Sequence, residues 1–143
     1  MPLTTHVPSM IVDAVRVFKT KPLERWARKN TICDEVFREA GKEIAEGSFE
    51  ADLGQYLFKK RIPRTGGGKS GGYRTIVAFK KANCDRVFFM YGFAKSDKSN
   101  ITIKERDILS AIARYYVEAS DDEIEKLLEA GELFEIQEAQ ENE

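Results

Sequence analysis

Residues 55–104 hold twelve lysines and arginines against two aspartates, a local charge of +10. Their spacing is that of a cationic surface. In an extended strand alternate residues share a face, so Lys59 and Arg61 point together, away from Phe58 and Ile62. Arg74 falls on the next extended stretch, with its neighbour Tyr73 on the opposite side. Bases on neighbouring strands of a hairpin project from one face only a few ångströms apart. Such a cluster repels itself, so it expects a polyanion, and phosphate contacts from Arg and Lys supply affinity without reading sequence. The competing reading is an exposed edge strand that its lysines protect from aggregation.

Other chemistries find little support. The single histidine, His6, stands near the start of the chain, which leaves no His pair and no His-rich metal site. There is no HExxH motif and no Cys-His pair, and Cys33 and Cys84 are far apart, as expected of two free thiols in a reducing compartment. Residues 64–72 hold five glycines around Lys69. This stretch joins two strands, whereas a phosphate loop must lead into a helix. Neither metal nor cofactor is expected. Residues 105–143 reverse the charge bias, with thirteen acids against Arg106, Arg114 and Lys126, a local charge of −10. Within it residues 121–131 are read as an ordinary amphipathic helix with Leu127 and Leu128 buried and its acids in water, the alternative being that the acidic tail is a built-in competitor for the basic groove.

The elements that must position these residues follow from pattern. Residues 15–20 read as a short strand. Residues 21–30 read as a helix with Pro22 near its start and Leu23, Trp26 and Ala27 at helical spacing. Thr31 is the expected N-cap of a second helix reaching about residue 46, with Ile32, Val36, Phe37, Ala40 and Ile44 on one face and Gly47 closing it. Three strands are expected over residues 55–62, 72–80 and 86–93, joined by short links into an antiparallel meander. Residues 102–118 return to helical period, with Ile108, Ile112 and Tyr115 read as the core stripe. Ser120 and Glu123 form a capping box for a last helix that Gly131 ends, and residues 132–137 could add an edge strand. The sum is an α+β domain with helices packed against an antiparallel sheet. Expected divisions are an arm over 1–14, the main domain over 15–119 and an acidic helical extension over 120–143.

Four strings carry a family resemblance: Val17-Phe-Lys-Thr-Lys-Pro-Leu-Glu-Arg-Trp26, Lys59-Lys-Arg-Ile-Pro-Arg64, Gly67-Gly-Lys-Ser-Gly-Gly-Tyr-Arg74 and Phe89-Met-Tyr-Gly-Phe-Ala-Lys-Ser96. In this order they resemble a branch of the RelE/HigB toxins of type II toxin–antitoxin systems, over about residues 15–137, including the ending Gly131-Glu-Leu-Phe-Glu-Ile136. The resemblance implies a microbial ribonuclease-like fold, metal-independent cleavage of mRNA, usually on the ribosome, and a cognate antitoxin as partner. It implies Lys59 as a base, Arg61 and Arg74 as clamps on the phosphate, and Lys95 as the group that protonates or positions the leaving oxygen. Further RNA contacts are expected from Lys60, Arg64, Lys69, Tyr73 and Lys98. In some relatives a lysine directly follows the Tyr-Gly pair; here Phe93 and Ala94 intervene. The alternatives are a non-catalytic ParE-like toxin that binds a protein such as gyrase, and a nucleic-acid-binding regulator. With no signal-peptide pattern and no long apolar run, a cytoplasmic protein without membrane attachment is expected.

Overall fold

The computed structural model describes residues 15–64 and 72–137. The N-terminal arm with His6, the glycine-rich link with Lys69 and the last six residues lie outside the described residues. The described chain has the α+β architecture that its pattern implies, with six strands and four helices.

The first strand, β1 (Arg16–Thr20), runs directly into helix α1 (Lys21–Lys29). Thr20 makes that junction: its hydroxyl accepts from the Leu23 amide at 3.3 Å and donates to the Met90 carbonyl at 3.1 Å. One side chain thus caps α1 and ties it to the sheet. The second helix, α2 (Asp34–Ala45), has Cys33 at its N-cap and so starts two residues later than the Thr31 cap predicts. Thr31 takes φ 56° instead, which turns the chain and drops Ile32 into the core. Gly47, at φ 97°, ends α2 as expected.

A strand that the pattern does not announce follows, β2 (Ala51–Gly54), pairing antiparallel with β3 (Leu57–Ile62). Ala-Asp-Leu-Gly is short and has little β-propensity, so only pairing with β3 makes it a strand. Gln55 and Tyr56 form its turn at φ 53° and 69°, which is why β3 begins at Leu57 and not at Gln55. The chain then continues antiparallel through β4 (Tyr73–Ala78) and β5 (Arg86–Ala94). Strand β1 closes against β5 in parallel, and β6 (Leu133–Ile136) pairs antiparallel with β1. The sheet order is β2-β3-β4-β5-β1-β6.

Helices cover both faces. On one side α1 and α2 enclose Leu23, Phe37, Ile44, Phe58, Val77 and Phe89. On the other, α3 (Ile103–Glu118) and α4 (Asp121–Glu129) enclose Phe18, Ile76, Phe88, Met90, Ala113 and Ile124. The acidic C-terminal helix is therefore a packed part of the fold: Ile124 is fully buried, and β6 follows it into the sheet. The expected capping box of Ser120 with Glu123 forms, and Thr102 makes a second one with Glu105.

The core stripe of α3 needs correction. Ile108, Ile112 and Tyr115 are exposed, and the buried side chains are Ala113 and Val117, flanked by Leu109 and Tyr116. Both sets have helical spacing, so local pattern cannot choose between them. Tyr116 stacks on Phe88 with ring centroids 4.9–5.1 Å apart in the Phe18–Phe88–Tyr116 column, and this column sets the rotation of the helix. Among the described residues no helix is long and apolar enough to cross a membrane.

Candidate functional site

Strand register brings the predicted arginines together. Arg61 lies directly opposite Arg74 in the β3–β4 ladder, so the two side chains share a face. Lys59 stands two residues back on that face, opposite Ile76. On β5, Phe93 is opposite Arg74 and Tyr91 opposite Ile76, which adds two aromatic rings to the same surface. The α3 side of the sheet therefore carries Lys59, Arg61, Arg74, Tyr91 and Phe93 on three adjacent strands.

Arg74 is the best-held member. It is only 7% exposed, and its Nε donates to Glu50 Oε1 at 2.9 Å. Its Nη1 is covered and has no partner among the described residues. A buried donor without an acceptor is costly, and here it belongs to a guanidinium, whose fork matches a phosphate. Arg61, by contrast, is exposed.

Lys98 joins the cluster from the turn after β5. Its Nζ lies 2.9 Å from Glu105 and donates to the Tyr91 hydroxyl at 3.3 Å, with the rings of Tyr91 and Phe93 at 5.4 and 5.8 Å. The hydrogen bond to Glu105 and then that to Tyr91 hold the Lys98 ammonium above its ordinary pKa. The Thr102 backbone amide, then Lys98, hold Glu105 below the usual carboxylate range. Lys98 is thereby kept as a cation at neutral pH.

The other expected residues are placed differently. Lys60 points to the opposite face, where it is buried against Glu43 at 2.7 Å and donates to the Ser48 carbonyl at 3.1 Å. It pins the end of α2 to the sheet. Tyr73 is also buried on that face, edge-on to Trp26 at 5.2 Å, and the Arg64 guanidinium lies 5.6 Å from its ring. Lys95 is exposed in the turn beyond β5. So β3 and β4 bring together Lys59, Arg61 and Arg74, the turn adds Lys98, and Lys60, Arg64 and Tyr73 stand on the other side.

Two carboxylates escaped the reading of the sequence. Glu50 lies in an irregular link, where no spacing marks it as the partner of a residue 24 positions on. Glu105 did carry a signal, since Thr102-x-x-Glu105 is a capping box. Its second partner, Lys98, is set by the fold.

An α+β protein with one cationic sheet face, backed by helices and edged by two carboxylates, has the equipment to grip a phosphodiester backbone. The family model described as RelE toxin of RelE / RelB toxin-antitoxin system matches residues 15–136, and the chain belongs to this family. Membership brings with it an antitoxin partner. Comparison with curated proteins gives no match.

Proposed function

We propose that this toxin is an endoribonuclease that cleaves mRNA on the ribosome, using the Arg61–Arg74 face to hold the scissile phosphate. The observation that carries the reading is the pairing of Arg61 with Arg74 on one face, with the covered Nη1 of Arg74 lacking an acceptor among the described residues. A non-bridging phosphate oxygen would complete that donor.

In the proposed reaction the 2′-oxygen attacks its own phosphorus. The 2′-O–P bond forms, the P–O5′ bond breaks, and the products are a 2′,3′-cyclic phosphate and a 5′-hydroxyl. A base must take the 2′ proton and an acid must give one to the 5′-oxygen, while cations stabilise the charge building on the phosphorane. Arg61 and Arg74 fill the last role. Lys59, on the same face, is the base that the resemblance implies; Glu50, bonded to Arg74, places a carboxylate in the same cluster. Lys98, held protonated beside Tyr91, and Lys95 are the two proton donors within the β5 turn. No step in this scheme calls on a metal ion.

The test is primer extension on mRNA in a purified translation system, comparing wild type with Arg74→Ala. Loss of one such electrostatic contact lowers the rate by about 10²–10³. Glu50→Gln and Lys59→Ala, measured beside it, separate the two bases by their pH–rate profiles. A folded Arg74→Ala protein that cleaves as fast as wild type would refute the site. Growth arrest without any cleavage would point to the non-catalytic, protein-binding alternative.

A further inference from the structure

Among the described residues five large apolar side chains are well exposed, and three of them stand on one flank of α3: Ile108 (53%), Ile112 (39%) and Tyr115 (52%). They are surplus to the fold, because α3 packs on the sheet through Ala113 and Val117, flanked by Leu109 and Tyr116. At about 100° per residue, Ala111 points almost straight away from that buried side, and it is exposed. The outer face is laid out evenly around it. Lys104 and Glu118 lie about 20° to either side of Ala111, Tyr115 and Asp107 about 40°, and Ile108 and Arg114 about 60°. One flank is thus apolar and the other charged.

Charge says what covers this face. Of the charged residues on α3, Glu105 turns to Lys98, and Arg106 donates to the Leu53 carbonyl at 2.7 Å. That leaves Lys104, Asp107, Arg114 and Glu118, all exposed. None of the four pairs with an opposite charge among the described residues. Their signs alternate along the helix, plus, minus, plus, minus, so the order inverts on passing through Ala111. With two of each sign the face gives no preference to a uniformly acidic or basic partner. A copy of the same helix laid antiparallel meets opposite charges at every position, whereas a parallel copy sets like against like.

We propose that α3 pairs with α3 of a second copy of this chain, antiparallel about a two-fold axis at Ala111. In a two-fold contact residue i meets j and j meets i, and the matching flanks of the two helices meet each other. Lys104 then stands opposite Glu118 of the partner subunit, and Asp107 opposite Arg114 of the partner subunit, each contact occurring twice. On the other flank Ile108 enters between Ile112 and Tyr115 of the partner subunit. Ala111, the smallest side chain on the face, sits at the crossing and lets the helices approach closely. With 16 residues, α3 is about 24 Å long and about 10 Å across. One face of it gives a total buried area on the order of 1,000 Å², the low end for specific interfaces, so the dimer forms at micromolar concentration. The pairing also sets the two cationic sheet faces at opposite ends of the helix pair, since each α3 begins beside its own Lys98.

The test is sedimentation velocity of the full-length toxin, freed of antitoxin, from micromolar to submillimolar concentration. Wild type should pass from monomer to dimer across that range, and Ile108→Glu with Ile112→Glu should stay monomeric. Lys104→Glu alone and Glu118→Lys alone each set like charges together at both ends of the pair, and each should weaken the dimer about tenfold at low salt. Mixed together, these two single variants are complementary at both ends and should associate as well as wild type does. All the changes are at exposed positions, so circular dichroism and melting should match wild type. A wild type that stays monomeric throughout would overturn the proposal, as would a dimer that the double Ile variant leaves intact. Single variants that fail to rescue each other would overturn the antiparallel pairing. Because the readout is the mass of the free toxin, neither RNA cleavage nor antitoxin binding enters the result.

Discussion

Gly92, in the middle of β5, is where one methyl group should do most damage for its size. A Cβ placed there would lie 2.3 Å from Trp26 Cζ3 and 2.5 Å from Cε3 and Cη2. Ordinary carbon contacts lie at about 3.5–4.0 Å, so the ring must move by more than 1 Å. Trp26 is half-buried and can swing outward, but that sacrifices its edge-on contact with Tyr73 at 5.2 Å. Overpacking of this kind costs about 1–3 kcal/mol, and an aromatic pair contributes about 0.5–1.5 kcal/mol. Gly92→Ala should therefore destabilise the protein by about 2 kcal/mol. With Trp26 first replaced by Ala the clash is gone, and the same change should be neutral or stabilising by about 0.4–1 kcal/mol, because alanine narrows the unfolded ensemble. The two backgrounds thus differ by about 2–3 kcal/mol, a coupling well above the usual error of additivity. Urea unfolding followed by far-ultraviolet circular dichroism reads it, since Trp26 is the only tryptophan and fluorescence would be lost in half the cycle. An equal loss in both backgrounds would refute the argument, because strand propensity and not the Trp26 ring would then set the requirement for glycine.

Four further outcomes are expected. Burial, and then the charge of Asp85, push the Cys84 thiol up to about 11, while Cys33 is exposed; at pH 8 iodoacetamide should label Cys33 well before Cys84, as read by peptide mass spectrometry, and equal labelling would contradict the buried position. Burial works to raise the pKa of Glu24, but hydrogen bonds from Lys19 and Arg28 outweigh it and hold the carboxyl below 4.5. Its contribution is then present above the unfolded value and lost as pH falls through the folded one, so the stability deficit of Glu24→Gln at pH 7 should shrink below pH 4.5. Ile124→Ala, at a fully buried position on α4, should cost about 2–5 kcal/mol. Removal of everything from Ser120 onward, which also strips β6 from β1, should leave a chain that melts without a cooperative transition.

Much of this protein was decided locally. Period-2 alternation put Lys59 and Arg61 on one side of β3 and Phe58 and Ile62 on the other, and the structure keeps that division. Side-chain hydroxyls and glycines fixed helix ends at Thr102, Ser120, Gly47 and Gly131 because caps are made within a few residues of the chain. Tertiary packing decided what spacing leaves open. Helical spacing offered α3 two apolar stripes, and the stack of Tyr116 on Phe88 chose which one is buried, leaving Ile108 and Ile112 in water. The same holds for Lys60, whose charge is used against Glu43 beneath α2, and for Arg74, whose partner Glu50 stands in the irregular link just before β2. A sequence states which residues share a face; which face meets another surface is settled only when the elements pack, because burial free energy belongs to the contact between them.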